Sequence, residues 1–336
     1  MRKTFYTTAK KAPILKYSSK LYSFPRIYVK ILKQHQFKVK QDRLSGEAPK
    51  DFISIYEFGR CRKKNHRKWT KYIAKVGHKW YPSESITEHL LTRIGQVWGF
   101  NLANSKLFII NEQIRFCSEF FLKEEQELVH GADILSRYLQ ESNASFIEQI
   151  DKKGWSQELL TIKFVKKAIT EVFPLDVDEI VKGLNKMLLY DAIVGNNDRH
   201  FFNWGIVRHI KNKHKPYFSP IYDTARGLFW NFSDENLLNL RNKKQIESKV
   251  VKYHNETKPK IGWDGEKKIN HFHFVEKMLG NNDFNSESLK KVFYGENIEK
   301  VKFLLENEFK GLISDIRKET ILSYLKYRFN AFNKVV

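Results

Sequence analysis

The sequence predicts an α+β protein with two lobes, a small strand-rich lobe followed by a larger helical one. Between residues 51 and 121, short segments rich in β-branched and aromatic residues accompany a single helical pattern. After Gly131, apolar residues recur at helical spacing almost to the C-terminus. Of the 336 residues 41% are hydrophobic, which is enough for a packed core in each lobe. The sequence contains no internal repeat, and no long Gly, Ser or Pro linker separates these two regions. We therefore expect the lobes to meet across a cleft near residues 119–131.

The first lobe is predicted to consist of strands and one helix. Four segments have strand composition: 52–58, 69–76, 106–110 and 113–121. The first two form a hairpin with a long basic loop, and the last two meet at the polar turn Asn111-Glu112. Apolar residues at helical spacing after Pro82-Ser83 predict a helix over 84–95. Residues 1–40 lack sustained helical periodicity and are interpreted either as an extension that packs loosely or as a basic arm. The predicted division is therefore a basic extension over 1–43 and lobes over 44–121 and 122–336.

The second lobe is predicted to be helical around one β-ribbon. Three segments have helical periodicity: 132–139, 156–172 and 177–194. Residues 286–332 predict two more amphipathic helices. Between these regions, 204–209 and 216–222 predict a hairpin. His271-Phe272-His273 is interpreted as a small hairpin with a structural role, because no third metal ligand lies nearby.

Composition excludes several classes of protein. Cys61 and Cys117 are too few for a disulfide framework and lack the spacing of a structural zinc site, so a reducing cytoplasmic setting is expected. No segment approaches the 18–20 apolar residues of a membrane span, and Met1 to Lys11 is not followed by the apolar region of a signal peptide. The net charge of +22 is uneven. Residues 1–80 contain 22 Lys and Arg against four Asp and Glu, a net charge of +18, which leaves +4 for residues 81–336.

One cluster of polar residues has the pattern of a catalytic site. Residues 195–205 place titratable side chains between an apolar helix and a strand, with Asp198 and Asn203 five residues apart. Protein-kinase catalytic loops use this D-x-x-x-x-N spacing, in which the Asp orients the attacking hydroxyl and the Asn binds Mg²⁺. Asp223 follows the predicted ribbon and offers the second oxygen ligand that Mg²⁺ requires. One alternative is that Asn196 to Asp198 only cap a helix or form a turn. Another is that two overlapping fragments, Gly-Asn-x-Asp at 195–198 and Asp-x-His at 198–200, belong to a metallophosphoesterase.

Other segments supply the further parts of a phosphoryl-transfer site. Lys75 lies inside an apolar strand, as the phosphate-binding lysine of the V-A-I-K motif does, unless it is a solubilising lysine on an edge strand. A buried lysine needs a counter-charge, for which Glu88 is the first candidate and Glu84 the second. Gly46 precedes the first clear strand, where a phosphate-covering loop or an ordinary turn belongs. Residues 116–121 are positioned as a hinge whose backbone could pair with an adenine edge, although a core strand has the same pattern.

With these residues assembled, the chain resembles the HipA-like serine/threonine kinases over roughly residues 44–335. The resemblance is strongest in Gly195-Asn196-Asn197-Asp198-x-His200 with Asn203, and in Pro220-Ile221-Tyr222-Asp223. Two further segments resemble the family's phosphate loop and the region after its hinge: Ser45-Gly46-x-x-Pro49-Lys50 and Val129-His130-Gly131-Ala132.

The resemblance implies a bilobed protein-kinase-like fold, ATP and Mg²⁺ as cofactors, and a serine or threonine of a protein as acceptor. Asp198 would be the catalytic base with His200 as a phosphate neighbour. Asn203 and Asp223 would bind the metal. The implied nucleotide site comprises Lys75, Glu88, Ser45, Gly46, Glu119, Phe121 and Tyr222.

Two departures from the family pattern affect partners and regulation. Only about 43 residues precede the phosphate loop, and they do not resemble the subdomain through which HipA toxins bind an antitoxin, so the resemblance does not extend to an antitoxin partner. Thr224-Ala225 follows Asp223, so the sequence contains no recognisable activation switch. Because some relatives phosphorylate themselves in the phosphate loop, autophosphorylation of Ser45 is a hypothesis.

The rival hypothesis is a basic nucleic-acid-binding module with a degenerate kinase fold. It is motivated by the +18 of residues 1–80 and by the run of basic residues from Arg60 to Lys68. The sequence contains no named DNA- or RNA-binding motif, and a run of charge is usually a solvated face. In a third hypothesis, the basic N-terminal region brings an acidic substrate, a nucleic acid or a nucleic-acid-bound target to the kinase.

Overall fold

The computed structural model describes residues 29–40, 50–77, 83–281, 283–284 and 286–336. The strands are β1 (Lys30–Ile31), β2 (Phe37–Lys40), β3 (Lys50–Ile55), β4 (Thr70–Val76), β5 (Ser105–Ile110), β6 (Gln113–Glu119), β7 (Gln126–His130), β8 (Gly205–His209) and β9 (Tyr217–Phe218). The helices are α1 (Glu84–Val97), α2 (Gly131–Tyr138), α3 (Ser145–Lys152), α4 (Ser156–Leu159), α5 (Ile162–Val172), α6 (Val177–Val194), α7 (Asp234–Asn242), α8 (Ile246–Glu256), α9 (His271–Gly280), α10 (Ser286–Val292), α11 (Gly295–Asn307) and α12 (Asp315–Phe332). Ser45 and Gly46 of the predicted phosphate loop lie outside the described residues.

The first lobe is a six-stranded sheet with α1 packed against it. The strand order is β1-β5-β6-β4-β3-β2, and β3, β4 and β6 pair antiparallel in the centre. Ile53, Ile55 and Tyr72 lie almost fully buried in the core of this sheet. The turn at Asn111 and Glu112 has positive φ at both residues, as a tight two-residue hairpin requires. The predicted strands, helix and hairpins of this lobe are confirmed.

Residues 29–40 differ from the loosely packed extension that the sequence predicts. β1 pairs in parallel with β5, and β2 pairs with β3 over four residues. Val29, Leu32 and Phe37 are each only 5% exposed, so this segment is anchored by apolar burial. Strands of two and four residues are too short to produce a recognisable period, which is why the sequence pattern did not reveal them.

The second lobe is built around α6, whose bounds match the predicted helix. Its apolar residues, among them Leu184, Met187 and Ile193, are fully buried in a core formed by most of the helices. The predicted ribbon of β8 and β9 is present, but β7 extends it to three strands. β7 was not predicted because each of its residues is half-buried, so the segment lacks a clear apolar alternation.

Three further predictions for this lobe are corrected. The helical segment 156–172 is broken into α4 and α5, because Thr161 leaves the helix to bridge to Gly262. The tail forms three helices, α10 to α12, instead of two. His271 and His273 begin helix α9 and do not form a hairpin, since the Asn270 side chain caps the helix by accepting a hydrogen bond from the His273 amide at 2.9 Å.

The two lobes together confirm the predicted bilobed α+β fold. Among the described residues, no helix is both long enough and apolar enough to cross a membrane.

Candidate active site

Lys75 and Glu88 form a buried ion pair on the cleft side of the first lobe. The Lys75 Nζ lies 2.9 Å from the Glu88 Oε1, and the two side chains are only 12% and 3% exposed. Lys75 is not an edge residue, because β4 lies between β3 and β6. Burial raises the pKa of Glu88 against the opposing effect of the lysine charge. Glu84, the competing candidate, lies one turn earlier and instead faces Arg226 at 3.6 Å.

Asp223 joins this pair from the second lobe. Its Oδ1 lies 2.9 Å from the Lys75 Nζ, and its Oδ2 lies 3.5 Å from the Nζ of Lys50. Burial alone would raise the pKa of Asp223, but the two lysine charges outweigh it and the pKa falls well below its usual range. The same carboxylates outweigh the effect of burial on Lys75, whose pKa is raised. Asp223 and Lys75 therefore both keep their charges where the lobes meet.

Sequence reasoning gave Lys50 no role. Lys50 stands directly opposite Lys75 in the register of β3 and β4, so both side chains point to the same face of the sheet. The Pro-Lys end of the predicted phosphate loop was the available signal, but only the pairing of the strands shows that this lysine reaches Asp223.

The predicted catalytic loop begins where α6 ends. Gly195 closes the helix with φ +69°, a left-handed conformation that glycine adopts without strain. The Asp198 amide donates to the Asn196 Oδ1 at 3.2 Å, and the Asn203 Nδ2 donates to the Asp198 carbonyl at 3.0 Å. The five-residue spacing of Asp198 and Asn203 thus closes a hydrogen-bonded loop.

The Asp198 carboxylate stands partly exposed at the edge of the cleft. Its side chain is 43% exposed, and its Oδ2 lies 3.6 Å from the Arg226 Nε. Burial of the carboxyl group raises the pKa of Asp198, although His200 and Arg226 oppose the shift. Arg226, which the sequence analysis did not identify, also stacks 3.9 Å from the ring centroid of Trp230. An accessible carboxylate of this kind can accept a proton from a substrate hydroxyl.

Arg199 connects the catalytic loop to the segment that carries Asp223. It forms a bidentate pair with Asp191, with N–O distances of 2.7 and 2.9 Å and side chains only 2% and 1% exposed. Its Nη1 also donates to the carbonyls of Asn203, at 2.9 Å, and Tyr222. One guanidinium therefore holds the backbone beside both predicted metal ligands. The sequence analysis missed this residue, because a single Arg in a polar loop does not reveal that it is buried.

His200 lies next to the predicted base but makes its contacts locally. Its Nδ1 accepts a hydrogen bond from the Phe202 amide at 3.2 Å, and its carbonyl accepts one from the Asn203 amide. Burial lowers the pKa of His200. The neutral ring fits a role in shaping the loop, and no described contact brings it to Lys75 or Glu88.

The predicted nucleotide-pocket residues are only partly brought together. The rings of Phe121 and Tyr222 lie 5.9 Å apart between centroids, and the Tyr222 hydroxyl donates to the Phe202 carbonyl at 3.0 Å. Glu119 turns instead toward the basic loop, where its carboxylate lies 3.4 Å from the Arg60 Nη1. Phe121 and Tyr222 thus offer aromatic surface at the cleft, whereas the Glu119 side chain does not point toward them.

The side-chain oxygens of Asn203 and Asp223 are of the type that a hard divalent cation prefers. The Asn203 Nδ2 is committed to the Asp198 carbonyl, so the amide oxygen is the atom available to a metal. An amide oxygen with a carboxylate matches the preference of Mg²⁺, which takes few protein ligands and keeps water or phosphate oxygens in the remaining positions. In the part of the chain that the structure describes, no group of three or more His, Cys, Asp or Glu side chains is arranged to hold a metal. This donor set does not suit zinc.

Comparison with solved structures relates this geometry to known folds. The crystal structure of the Helicobacter pylori proinflammatory kinase CtkA matches 91% of this chain and 97% of its own, with 18% identity and a TM-score of 0.70. HipA from a Shewanella oneidensis toxin–antitoxin complex with HipB and operator DNA matches 87% of this chain and 65% of its own, with 14% identity and a TM-score of 0.50. These likenesses show a shared fold.

Sequence comparison gives the family. The Helicobacter pylori serine/threonine-protein kinase CtkA is 25% identical over 142 residues, a match that covers 42% of this chain and 42% of that protein. The family model described as the HipA-like C-terminal domain matches residues 43–281, which include every described candidate site residue. Because that match extends over well more than half of the sequence, this chain belongs to the HipA-like C-terminal domain family.

Proposed function

We propose that this protein is a serine/threonine protein kinase that transfers the γ-phosphoryl group of ATP with the help of Mg²⁺. The observation that carries the proposal is the continuous chain of ion pairs from Glu88 through Lys75 to Asp223, which joins the two lobes at the cleft. Family membership and similarity to a named kinase support a kinase-like phosphotransferase.

Each residue has a role that follows from its surroundings. Asn203 and Asp223 would hold Mg²⁺, which when bound neutralises the phosphate charge that develops during transfer. Lys50 and Lys75 place two positive charges beside Asp223, where a polyphosphate has to be accommodated. Asp198 orients the acceptor hydroxyl and receives its proton. Catalysis of this type depends on positioning and on fixed charges, which the buried ion pairs provide.

The proposed acceptor is the hydroxyl group of a serine or threonine in a protein substrate. The rival function, a nucleic-acid module with a degenerate kinase fold, has less support, because a buried Lys75–Glu88 pair and an accessible Asp198 carboxylate are both retained. An antitoxin-like partner is attested for the Shewanella oneidensis protein and is not assigned to this chain.

Phosphate transfer from ATP to purified protein and to a mixture of peptides tests the proposal. Asp198→Asn removes the proton acceptor, and Asp223→Asn removes a metal ligand, so each is expected to lower the rate about 100-fold or more. EDTA is expected to abolish transfer. Asp315→Asn, at an 89% exposed carboxylate in a surface pair, is the matched control and should retain activity. Labelling by both variants at the wild-type rate would refute the assignment.

Autophosphorylation of Ser45 remains part of the proposal, although this residue lies outside the described part of the chain. Mass spectrometry after incubation with Mg-ATP is expected to find phosphate on Ser45 in the wild type and none in the Asp198→Asn variant. A wild-type enzyme that phosphorylates peptides but carries no phosphate on Ser45 would remove self-modification while leaving the kinase assignment in place.

A further inference from the structure

The first lobe carries a basic surface with few carboxylate partners among the described residues. Residues 29–40 contain four Lys, residues 58–71 contain seven Lys and Arg, and neither segment contains an Asp or Glu. Of these eleven cations, Arg60 is the one with a carboxylate partner among the described residues, through Glu57 and Glu119. The loop from residue 62 to residue 68 is exposed throughout.

The register of the sheet makes these charges contiguous. Lys38 lies opposite Ser54 on β3, and Ser54 lies opposite Lys71 on β4, so the two lysines share one face. Lys40 follows Lys38 by two residues and therefore points the same way. The Lys38 Nζ lies 3.3 Å from the Nδ1 of His66, which brings the loop beside β2. We call residues 62–68 together with Lys38, Lys40 and Lys71 the basic surface.

The requirements of folding account for only part of this surface. β2 is an edge strand, and lysines on an edge strand prevent pairing with other chains, which is sufficient to explain Lys38 and Lys40. That reason does not extend to the five basic residues within 62–68, which lie in a loop. Clustered like charges repel one another, and a polyanion removes the repulsion while releasing its own counterions.

An exposed aromatic residue at the start of the loop favours one kind of polyanion. Phe58 is 90% exposed, and it stands in a turn two residues before Arg60. An unpaired nucleic-acid base can stack on such a ring, whereas an acidic peptide lacks a flat group of this size at regular intervals. Cations flanking an aromatic platform are the usual elements of sequence-tolerant binding to single strands.

We propose that the basic surface binds single-stranded nucleic acid through phosphate contacts, with Phe58 stacking on a base. This inference is independent of the proposed kinase activity, because none of the residues involved lies among the groups around Asp223. The binding requires no particular base sequence.

Fluorescence anisotropy with labelled 20-nucleotide dT and U strands tests the proposal with the full chain. If all eight cations of the basic surface contact phosphates, log Kobs should fall with log salt at a slope of about −5 to −6, since each contact on a single strand contributes about −0.7. The affinity should then fall about 10³-fold between 50 and 200 mM salt. Phe58→Ala should weaken binding by about tenfold and leave the slope unchanged.

Charge-neutralising variants locate the site. The triple variant Lys63→Gln, Lys64→Gln, Arg67→Gln should reduce the magnitude of the slope by about 2, as expected for three lost contacts. The matched control removes three exposed lysines of the second lobe, Lys243, Lys302 and Lys310, by the same change to Gln and should bind as the wild type does. Circular dichroism confirms that each variant is folded.

Three outcomes would overturn the proposal. These are undetectable binding at 50 mM salt, equal affinities of the triple variant and its control, and an unchanged affinity of Phe58→Ala. Tighter binding to polyglutamate or to phosphatidylserine vesicles than to either strand would reassign the basic surface to an acidic protein or to a lipid headgroup.

Discussion

Replacing Asp191 with Asn is expected to destabilise the protein strongly, because it removes the only carboxylate that pairs with the buried Arg199 among the described residues. Both side chains are at most 2% exposed, and two hydrogen bonds of 2.7 and 2.9 Å connect them. The change preserves the shape of the side chain but leaves the guanidinium charge in the core without a counter-charge.

The expected loss of unfolding free energy follows from the burial of this ion pair. Removing one partner of a buried, hydrogen-bonded ion pair costs about 3–5 kcal/mol of unfolding free energy. Because folded proteins are stable by only about 5–15 kcal/mol, Asp191→Asn should remove about a third of the total. With a urea m-value of about 3 kcal/mol/M, the unfolding midpoint should fall by about 1–1.7 M.

Urea unfolding followed by circular dichroism measures this change. The control is Glu127→Gln, which breaks the surface pair with Arg208, whose side chains are 41% and 43% exposed. That pair should contribute no more than about 1 kcal/mol. A midpoint for Asp191→Asn within about 0.2 M of the Glu127→Gln control, which corresponds to about 0.6 kcal/mol at the same m-value, would refute the reasoning.

Three other predictions concern acid sensitivity, the helix end and the predicted base. Burial and, in each case, a nearby arginine lower the pKa of three histidines to about 3: His89, His254 and His271. Below about pH 6.5 these histidines bind protons in the unfolded chain but not in the folded one, so the free energy of unfolding should fall as the pH drops. The expected loss at pH 5.5 is about 1.4 kcal/mol per histidine. Urea midpoints that are equal at pH 7.5 and 5.5 would contradict this. Gly195→Ala places a Cβ 2.5 Å from the Tyr324 hydroxyl at a residue with positive φ, so it should lower the unfolding free energy by about 1–3 kcal/mol. The control Gly280→Ala, whose added Cβ has no atom within 4 Å, should not. Equal melting temperatures of the two variants would contradict this prediction. Arg226→Gln removes a cation 3.6 Å from the carboxylate of Asp198, so the pKa of that group should rise and the acid limb of the kcat profile should move to higher pH; an unchanged profile would show that Arg226 does not act on Asp198.

Local patterns were sufficient for much of the fold. Residues 177–194 carry a long apolar period, and the structure forms α6 over the same residues. β3 and β4 were predicted because hairpin strands are adjacent in sequence and rich in β-branched residues. β1 and β2 were missed, since their pairing depends on burial of Val29, Leu32 and Phe37 against distant strands.

The candidate site was predicted less completely than the fold. Asp198 and Asn203 could be singled out by their spacing, and Lys75 by its apolar strand. Arg199 and Lys50 were not assigned any role, because their significance depends on partners that other segments bring to them. A single charged residue in a loop has the same appearance in the sequence whether it is buried or exposed.

The sequence by itself determined the residue types, their order and the concentration of positive charge in residues 1–80. Only the tertiary structure decided which charges are neutralised. Lys75 and Asp223 lie 148 positions apart along the chain and in different lobes, yet packing brings the Lys75 Nζ and the Asp223 Oδ1 to 2.9 Å. Lys38 and Lys71, by contrast, have no carboxylate partner among the described residues. The reason is physical: the energy of a charge depends on its distance from other charges and from water, and folding sets both distances.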